Sequence, residues 1–401
     1  MNSIVIVCQV FYPNTQSSSI LLTDLALNLQ HKDTKITVIC GFPNGVDNDT
    51  VKRYENFNGI DIYRCGINVN LKAGLWQRLT SYVSYLLHAG WKLLFVGKEE
   101  IFLGVSNPPF LSIVLMIVSS INHSKYYFIV HDVYPEGLVA VGKLKEQSLI
   151  TKIWRRLNQF SYRKSEKIVT LGRDMSDLLI ENYALDRHKL EYIPNWSLTT
   201  APEPISFDQN DLAHTLGIQS KFVVQYSGNM GLWHDIDTFI RAAASLNRNP
   251  DIQFLFIGNG IGQKQAQKLA QELKLTNIIW MDFVPTEQLN TSLTCAHVAL
   301  ISLNSGLEGI AVPCKLYGIL ASGRAILAQV PQKSEIAYVI EEEECGFVIP
   351  PGDIDGLVKR IEQLFADRDL TNKMGWNSFQ AYKSKYTIEK ITGQFQSMLR
   401  I

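Results

Sequence analysis

The sequence predicts an α/β protein made of two Rossmann-like, doubly wound domains that face each other across a cleft. Three observations carry that expectation. The 401 residues suit two domains better than one. Short apolar runs alternate with helical-period segments along the whole chain, as a parallel sheet covered on both faces requires. The alternation lapses once, between Asn195 and Lys221, in Trp196-Ser-Leu-Thr-Thr-Ala-Pro-Glu-Pro, where Pro202 and Pro204 block a helix.

The first series places strands near Ile4 to Cys8, Ile36 to Cys40, Ile60 to Arg64, Ile101 to Val105, Tyr126 to Val130, Ile168 to Leu171 and Leu190 to Ile193, with helices such as Leu21 to Gln30 between them. The second runs Phe222 to Tyr226, Phe254 to Ile257, Ile278 to Trp280, Val298 to Ile301, Ala325 to Ala328 and Phe347 to Ile349. The expected domains are residues 1–200, completed by a C-terminal helix at about 385–401, and residues 201–384. In open α/β sheets ligands bind outside the C-terminal ends of the strands, which puts the expected cleft there.

Composition narrows the function classes. Hydrophobic residues at 46% and charged residues at 19% exclude a disordered chain. Lys and Arg total 38 against 38 Asp and Glu, so no global field favours nucleic acid. Charge is uneven locally: from Lys143 to Lys167 eight cations face only Glu146 and Glu166. With Trp154 and Phe160 among them, that stretch is a candidate for lying on an anionic membrane or is a solvated helix face. Leu75 to Val96, with Trp76, Tyr82, Tyr85, Trp91 and Phe95, is the other candidate for membrane contact or docking of a lipid-linked acceptor, unless it is core. The six cysteines are scattered without a C-x-x-C pair, against both a metal site and a disulfide framework. The chain enters its first strand without a basic n-region, and its longest apolar run, Phe110 to Ile121, is too short to span a bilayer, so a cytoplasmic protein, peripheral at most to a membrane, is expected.

Several loops carry chemistry-bearing residues. Ser227-Gly228-Asn229-Met230-Gly231 follows the strand ending at Tyr226, and a helix is expected from about Asp235, an arrangement that admits an anion or is a plain turn. Gly258-Asn259-Gly260-Ile261-Gly262 imitates a dinucleotide fingerprint, but Gln263 stands where its third glycine belongs. Four D-x-D triplets begin at Asp47, Asp235, Asp353 and Asp367 and read as loop and helix-start residues, not as metal ligands. Glu308 in a glycine-flanked loop is followed by Pro313, suited to the first turn of a helix, and by Lys315 inside that turn. The pattern offers a hydroxyl acceptor and a phosphate-binding charge, or else two solvated side chains.

The series Tyr226-Ser-Gly-Asn-Met-Gly, Phe254-Leu-Phe-Ile-Gly-Asn-Gly, Glu308-Gly-Ile-Ala-Val-Pro and Ala321-Ser-Gly resembles the donor half of family 4 retaining glycosyltransferases of the GT-B fold. Tyr12-Pro13, His131-Asp132-Val-Tyr-Pro135-Glu136 and Ile193-Pro194-Asn195-Trp196 are similar to the branch that builds colanic acid, O-antigen and other exopolysaccharides. The resemblance spans nearly the whole chain. It implies transfer of a hexosyl group from a nucleotide-sugar, a UDP-sugar first, to a lipid-linked or growing saccharide, with no cofactor or metal and no side-chain nucleophile. It implies catalytic roles for His131, Asp132, Glu136 and Glu308, with His131 at the donor sugar and Asp132 or Glu136 at the acceptor hydroxyl. Gly228, Asn229, His234, Gly258, Phe283, Glu308, Gly309, Lys315 and Tyr317 would bind the donor, and Tyr12, Gln16 and Ser17 the acceptor.

The sequence departs from that family where the diphosphate should be held. Asn229 and His234 align with its usual Arg and Lys, and its second glutamate falls on Leu316 or Gly318. Lys315 is the expected substitute cation. A UDP-sugar epimerase of the same architecture and a catalytically silent partner of an assembly complex are the alternatives that these departures leave open.

Overall fold

The computed structural model describes residues 2–43, 51–67, 74–96, 100–198 and 203–401. The Asp47 triplet and linker residues 199–202 lie outside them. Two compact units result. The first comprises residues 1–195, 309–311 and 388–401, and the second residues 196–308 and 312–387. The division thus falls after Asn195 and not at 200, and the helix Ile388–Leu399 belongs with the first unit.

The first unit holds an eight-stranded sheet of β1 (Asn2–Val7), β2 (Thr34–Cys40), β3 (Tyr54–Phe57), β4 (Ile60–Arg64), β5 (Ile101–Val105), β6 (Lys125–Val130), β7 (Ile168–Thr170) and β8 (Leu190–Tyr192). Its order is β3-β4-β2-β1-β5-β6-β7-β8. Every pairing is parallel except β3 with β4. Ile4, Val5, Ile6 and Val7 are all fully buried, because a central parallel strand has no solvent face. β3 is an element the apolar-run reading misses: its Tyr-Glu-Asn-Phe sequence is polar, and its burial alternates as an edge strand's does. The hairpin signal was nevertheless present in Asn58-Gly59, whose φ values of 50° and 87° are those of a tight primed turn. The first helix runs Ser17–Leu29, a turn earlier than its apolar stripe, with Gln16 as its N-cap.

The second unit holds a fully parallel six-stranded sheet of β9 (Phe222–Ser227), β10 (Ile252–Ile257), β11 (Ile278–Met281), β12 (Val298–Ser302), β13 (Ala325–Gln329) and β14 (Gly346–Ile349), in the order β11-β10-β9-β12-β13-β14. The helices Ile236–Ser245 and Ile354–Ala366 close one face through Phe239, Ile240, Leu357 and Ile361, all fully buried against Val224, Phe254 and Leu300. The three described D-x-D triplets are helix N-caps: Asp235, Asp353 and Asp367 accept from the backbone N–H of Thr238 (3.1 Å), Gly356 (2.9 Å) and Leu370 (2.9 Å). None of the six cysteines, all among the described residues, forms a disulfide, and burial pushes the thiols of Cys40, Cys295 and Cys345 up to about 12. Among the described residues no helix is long and apolar enough to cross a membrane.

Candidate functional site

In the second unit the candidate residues gather at the C-terminal edge of β9, β10 and β12. The loop after β9 and the loop after β10 are sewn together: the Met230 N–H donates to the Asn259 carbonyl (2.8 Å) and the Gly262 N–H to that of Met230 (2.9 Å). This contact explains the second glycine cluster. A Cβ at Gly258 would stand 2.3 Å from the Gly228 carbonyl oxygen, and one at Gly260 would stand 2.5 Å from that of Met230. The glycines admit a neighbouring backbone, so no dinucleotide fingerprint is needed to account for them.

Lys315 opens the helix Lys315–Ser322, with Cys314 as N-cap, so Pro313 lies just ahead of the helix and not in its first turn. The lysine points back under the glycine loop. Its Nζ donates to the Tyr226 hydroxyl (2.7 Å) and lies 4.1 Å from that ring's centroid, and a Cβ at Gly228 would be 3.3 Å away. The Tyr226 hydroxyl in turn donates to the Asn229 carbonyl (2.9 Å), which fixes the phenol and through it the lysine. Burial lowers the Lys315 ammonium to about 7, so near neutrality it is poised between charged and neutral.

His234 donates from Nδ1 to the Ser302 carbonyl (2.6 Å), and burial together with nearby Lys315 lowers its imidazole to about 3. It is therefore a neutral ring that cannot replace a cation. Asn229 is exposed at the loop tip. Glu308 turns back on its own loop, one carboxylate oxygen accepting from the Gly306 N–H (2.7 Å). Phe283 follows β11 and is 52% exposed, its ring edge 3.1 Å from a Cβ placed on Gly258. Tyr317 corrects the donor-binding expectation: it is fully buried, 5.2 Å ring to ring from Tyr386, and presents no surface to a ligand. Leu316, aligned with the missing glutamate, is likewise core.

In the first unit His131 and Asp132 follow β6, and one hydroxyl positions both, since the Ser106 Oγ accepts from the N–H of His131 (3.0 Å) and of Asp132 (3.1 Å). The His131 Nε2 is buried without a hydrogen-bond partner among the described residues, and burial lowers this imidazole to about 4. The Asp132 carboxylate accepts no turn N–H among the described residues, and burial raises its carboxyl to about 6. Residues 309–311 belong to this unit: the Gly309 N–H donates to the Asp174 Oδ2 (2.9 Å), the Val133 N–H donates to the Ile310 carbonyl (2.9 Å), and Asp132 bridges to Ala311. Gly309, with φ of 72°, serves this backbone contact, since a Cβ there would stand 2.7 Å from the Asp174 carbonyl.

Glu136 is removed from the acceptor role. It is buried, its Oε1 paired with the Arg155 Nε (3.0 Å) and its Oε2 accepting from the Tyr183 hydroxyl (2.8 Å). A carboxylate held on both oxygens is a structural anchor and not a free base. Arg155 also pairs with Glu146 (2.6 Å), which takes it out of the freely solvated basic stretch. Tyr12 stacks on Phe57 at 3.9 Å, and Gln16 and Ser17 are exposed at the start of the first helix. Sequence reasoning missed Ser106, the Tyr226 hydroxyl, Asp174 and Tyr183 as partners. Only Tyr226 carried a signal, a phenol near the C-terminal end of a strand, just before the glycine loop.

The model of the family described as "Glycosyl transferases group 1" matches residues 208–381. The chain is 30% identical over 278 residues, 69% of each chain, to "Probable glycosyltransferase WbjE" of Pseudomonas aeruginosa. It is 21% identical over 325 residues, 79% of each, to "Putative colanic acid biosynthesis glycosyl transferase WcaI" of Escherichia coli K12. Among solved structures, sucrose-phosphate synthase from Thermosynechococcus elongatus superposes with a TM-score of 0.77 at 14% identity, over 100% of this chain and 98% of that one. Anabaena HepE in complex with UDP-glucose superposes at 0.73, also at 14% identity, over the whole of both chains. Two parallel-sheet Rossmann-like units, the GT-B neighbours and the relatives agree: the chain is a glycosyltransferase and belongs to the group 1 family.

Proposed function

We propose that this glycosyltransferase moves a sugar from a UDP-sugar to a lipid-linked or growing saccharide in cell-surface polysaccharide biosynthesis, retaining anomeric configuration without a metal. The observation that carries the donor reading is Lys315 held under Gly228 by Tyr226, a cation set where a strand-end glycine loop opens. Exposed Phe283 beside Gly258 supplies a ring against which a nucleobase can stack. The names of the relatives, colanic acid biosynthesis above all, and the UDP-glucose held by HepE favour this chemistry. The described Asp triplets are occupied as helix caps, which is why no metal enters the proposal.

In this reading His131 meets the donor sugar and Asp132 orients the acceptor hydroxyl. The leaving diphosphate itself helps to draw the acceptor proton while fixed donors stabilise its growing charge. A thermal-shift screen against UDP, GDP and their sugar conjugates tests the donor. At a hundredfold excess over Kd, a true ligand stabilises by about 2.7 kcal/mol. UDP release that needs an acceptor and persists in EDTA supports the proposal. Release or sugar isomerisation without any acceptor would favour the epimerase reading and overturn it.

A peripheral membrane contact belongs to the same proposal. The helix Leu75–Leu94 exposes Trp76, Leu79, Val83, Leu87 and Trp91, one stripe at helical spacing. The helix Leu111–Asn122 packs against it and against Leu149–Lys164, whose Ile150, Ile153, Leu157 and Phe160 are also exposed. Exposed Lys152 and Arg156 supply charge for anionic lipid. Of the expected contacts, Tyr85 is instead core, its hydroxyl donating to the Cys8 carbonyl (2.8 Å), and Trp154 is half-buried, its ring tilted against that of Phe110 at 4.5 Å.

A further inference from the structure

The second unit contains a cavity of about 480 Å³ at the opposite edge of its sheet from the glycine loops. Its walls include Ala296 and His297, just before β12, and Gly323 and Arg324, just before β13. In a fully parallel sheet that edge is the N-terminal one, separated from the donor loops by the length of the strands.

Two guanidinium groups line this cavity, and neither has a carboxylate partner among the described residues. Arg324 is fixed by its Nη2, which donates to the carbonyls of Ile205 (2.6 Å) and Thr294 (2.8 Å), both neutral acceptors. Arg368 lies 4.2 Å over the Phe222 ring. His297 adds a defined donor. Its Nδ1 accepts the Val223 N–H (3.1 Å), so in the neutral ring the hydrogen is on Nε2. Burial, and after it the nearby Arg368 and Arg324, lowers this imidazole to about 3, so it is neutral. Asp208, the one carboxylate in the lining, is exposed. Trp376, 62% exposed, supplies a flat apolar wall.

We propose that this cavity is a second ligand site, separate from the donor site, for a small phosphorylated molecule with a ring. The phosphoryl group is received by Arg324, Arg368 and the His297 Nε2–H, and the ring lies on Trp376. Two arginines without a carboxylate partner among the described residues match a dianionic phosphoryl group in charge; Arg324, its Nη2 already committed to carbonyls, supplies chiefly charge, and the fork of Arg368 matches the oxygens in geometry. A volume of this size holds a sugar phosphate or a mononucleotide.

Isothermal titration of the full chain with ribose 5-phosphate, and separately with inorganic phosphate, tests this. Expected is saturable one-to-one binding of ribose 5-phosphate that survives Lys315→Met. Arg368→Gln, which keeps an amide over Phe222, should weaken it at least about tenfold, the effect of losing one charge-assisted contact. Trp376→Ala should weaken ribose 5-phosphate while leaving inorganic phosphate unchanged. Absence of saturable binding in the parent overturns the proposal, as does binding that Lys315→Met abolishes and Arg368→Gln leaves intact, since that would belong to the donor site. Equal affinity for both probes, unmoved by Trp376→Ala, overturns the ring-bearing ligand class.

Discussion

With Lys315 at the diphosphate, as proposed, donor binding is a protonation event. The lysine's ammonium is lowered from 10.5 to about 7 by burial, and a diphosphate placed beside it restores the charged form. If the bound lysine returns to its ordinary value, linkage fixes the pH dependence. Affinity for UDP should fall about 50-fold from pH 7 to pH 9, and at pH 8 binding should take up about 0.9 proton. The sign follows from the direction of the shift, since raising pH through 7 empties the free lysine of the proton that the complex requires. His234, held at about 3, does not titrate in this window. Titration calorimetry at pH 8 in two buffers of different ionisation enthalpy counts the protons directly. Lys315→Met, which fills the same space without charge, should bind with no proton uptake and with affinity flat across the window. In the free protein the same depressed lysine works against folding below pH 7 and ceases to do so as pH rises towards 10.5, so Lys315→Met should also melt higher than the parent at pH 6, by a margin that shrinks towards pH 10. Equal proton uptake by parent and variant would refute the placement of Lys315 at the phosphates.

Three further outcomes follow from the first unit. The Asp132 carboxyl is raised from 3.8 to about 6 by burial, so its ionisation opposes folding by at most about 3 kcal/mol at pH 8 and hardly at all at pH 4. Asp132→Asn should therefore melt higher than the parent at pH 8 but not at pH 4, while losing transfer and keeping UDP affinity; identical melting at both pH values would show a solvated carboxyl. Glu136→Ala takes from Arg155 and Tyr183 their buried partner and, since Arg155 keeps Glu146, should lower stability by about 1–3 kcal/mol in chemical denaturation, whereas an unchanged midpoint would return Glu136 to the pool of free bases. Replacing Trp76, Leu87 and Trp91 by Ser should reduce co-sedimentation with anionic vesicles at unchanged Tm, and Lys152→Glu with Arg156→Glu should make what remains less sensitive to salt. Binding that survives both sets would remove the membrane contact.

The strands were legible because both sheets bury their central strands on two faces, which writes them as plain apolar runs such as Ile4–Val7 and Phe254–Ile257. β3 was not, since an edge strand with Tyr54 exposed needs no such run and announces itself only through Asn58-Gly59. At the site, residue type and spacing located His131, Asp132 and Lys315, but partners distant in sequence settle what each can do. Glu136 looks like a base until Arg155 and Tyr183, 19 and 47 residues away, claim both its oxygens. The arginines at the far edge of the second sheet went unremarked for the same reason. Arg368 is only the middle residue of the Asp367 triplet and Arg324 only follows Ala321-Ser-Gly, and that both lack a carboxylate partner among the described residues becomes visible only when the chain has folded them around one cavity.

The departures from the family's diphosphate site follow a physical logic that starts from Tyr226. A phenol at the end of β9 that donates to the Asn229 carbonyl and accepts from the Lys315 Nζ holds the cation beneath the glycine loop, not beyond it. With the ammonium already under Gly228, a second cation at 234 would stand beside it in a poorly solvated site, and like charges there repel strongly. A neutral His234 tied to the Ser302 carbonyl avoids that repulsion, and Asn229, exposed at the loop tip, adds no charge. In the proposed site one lysine that charges when the phosphates arrive thus replaces the permanently charged pair that the resemblance implies. Tyr226→Phe tests this arrangement: the lysine loses the hydroxyl that fixes it, so UDP affinity should drop about 10- to 150-fold at pH 7, the size of one lost hydrogen bond to a charged group. The proton uptake at pH 8 should remain close to that of the parent, because desolvation, the cause of the lowered pKa, is still in place. Loss of the uptake together with the affinity would mean that the hydroxyl and not burial poises the lysine.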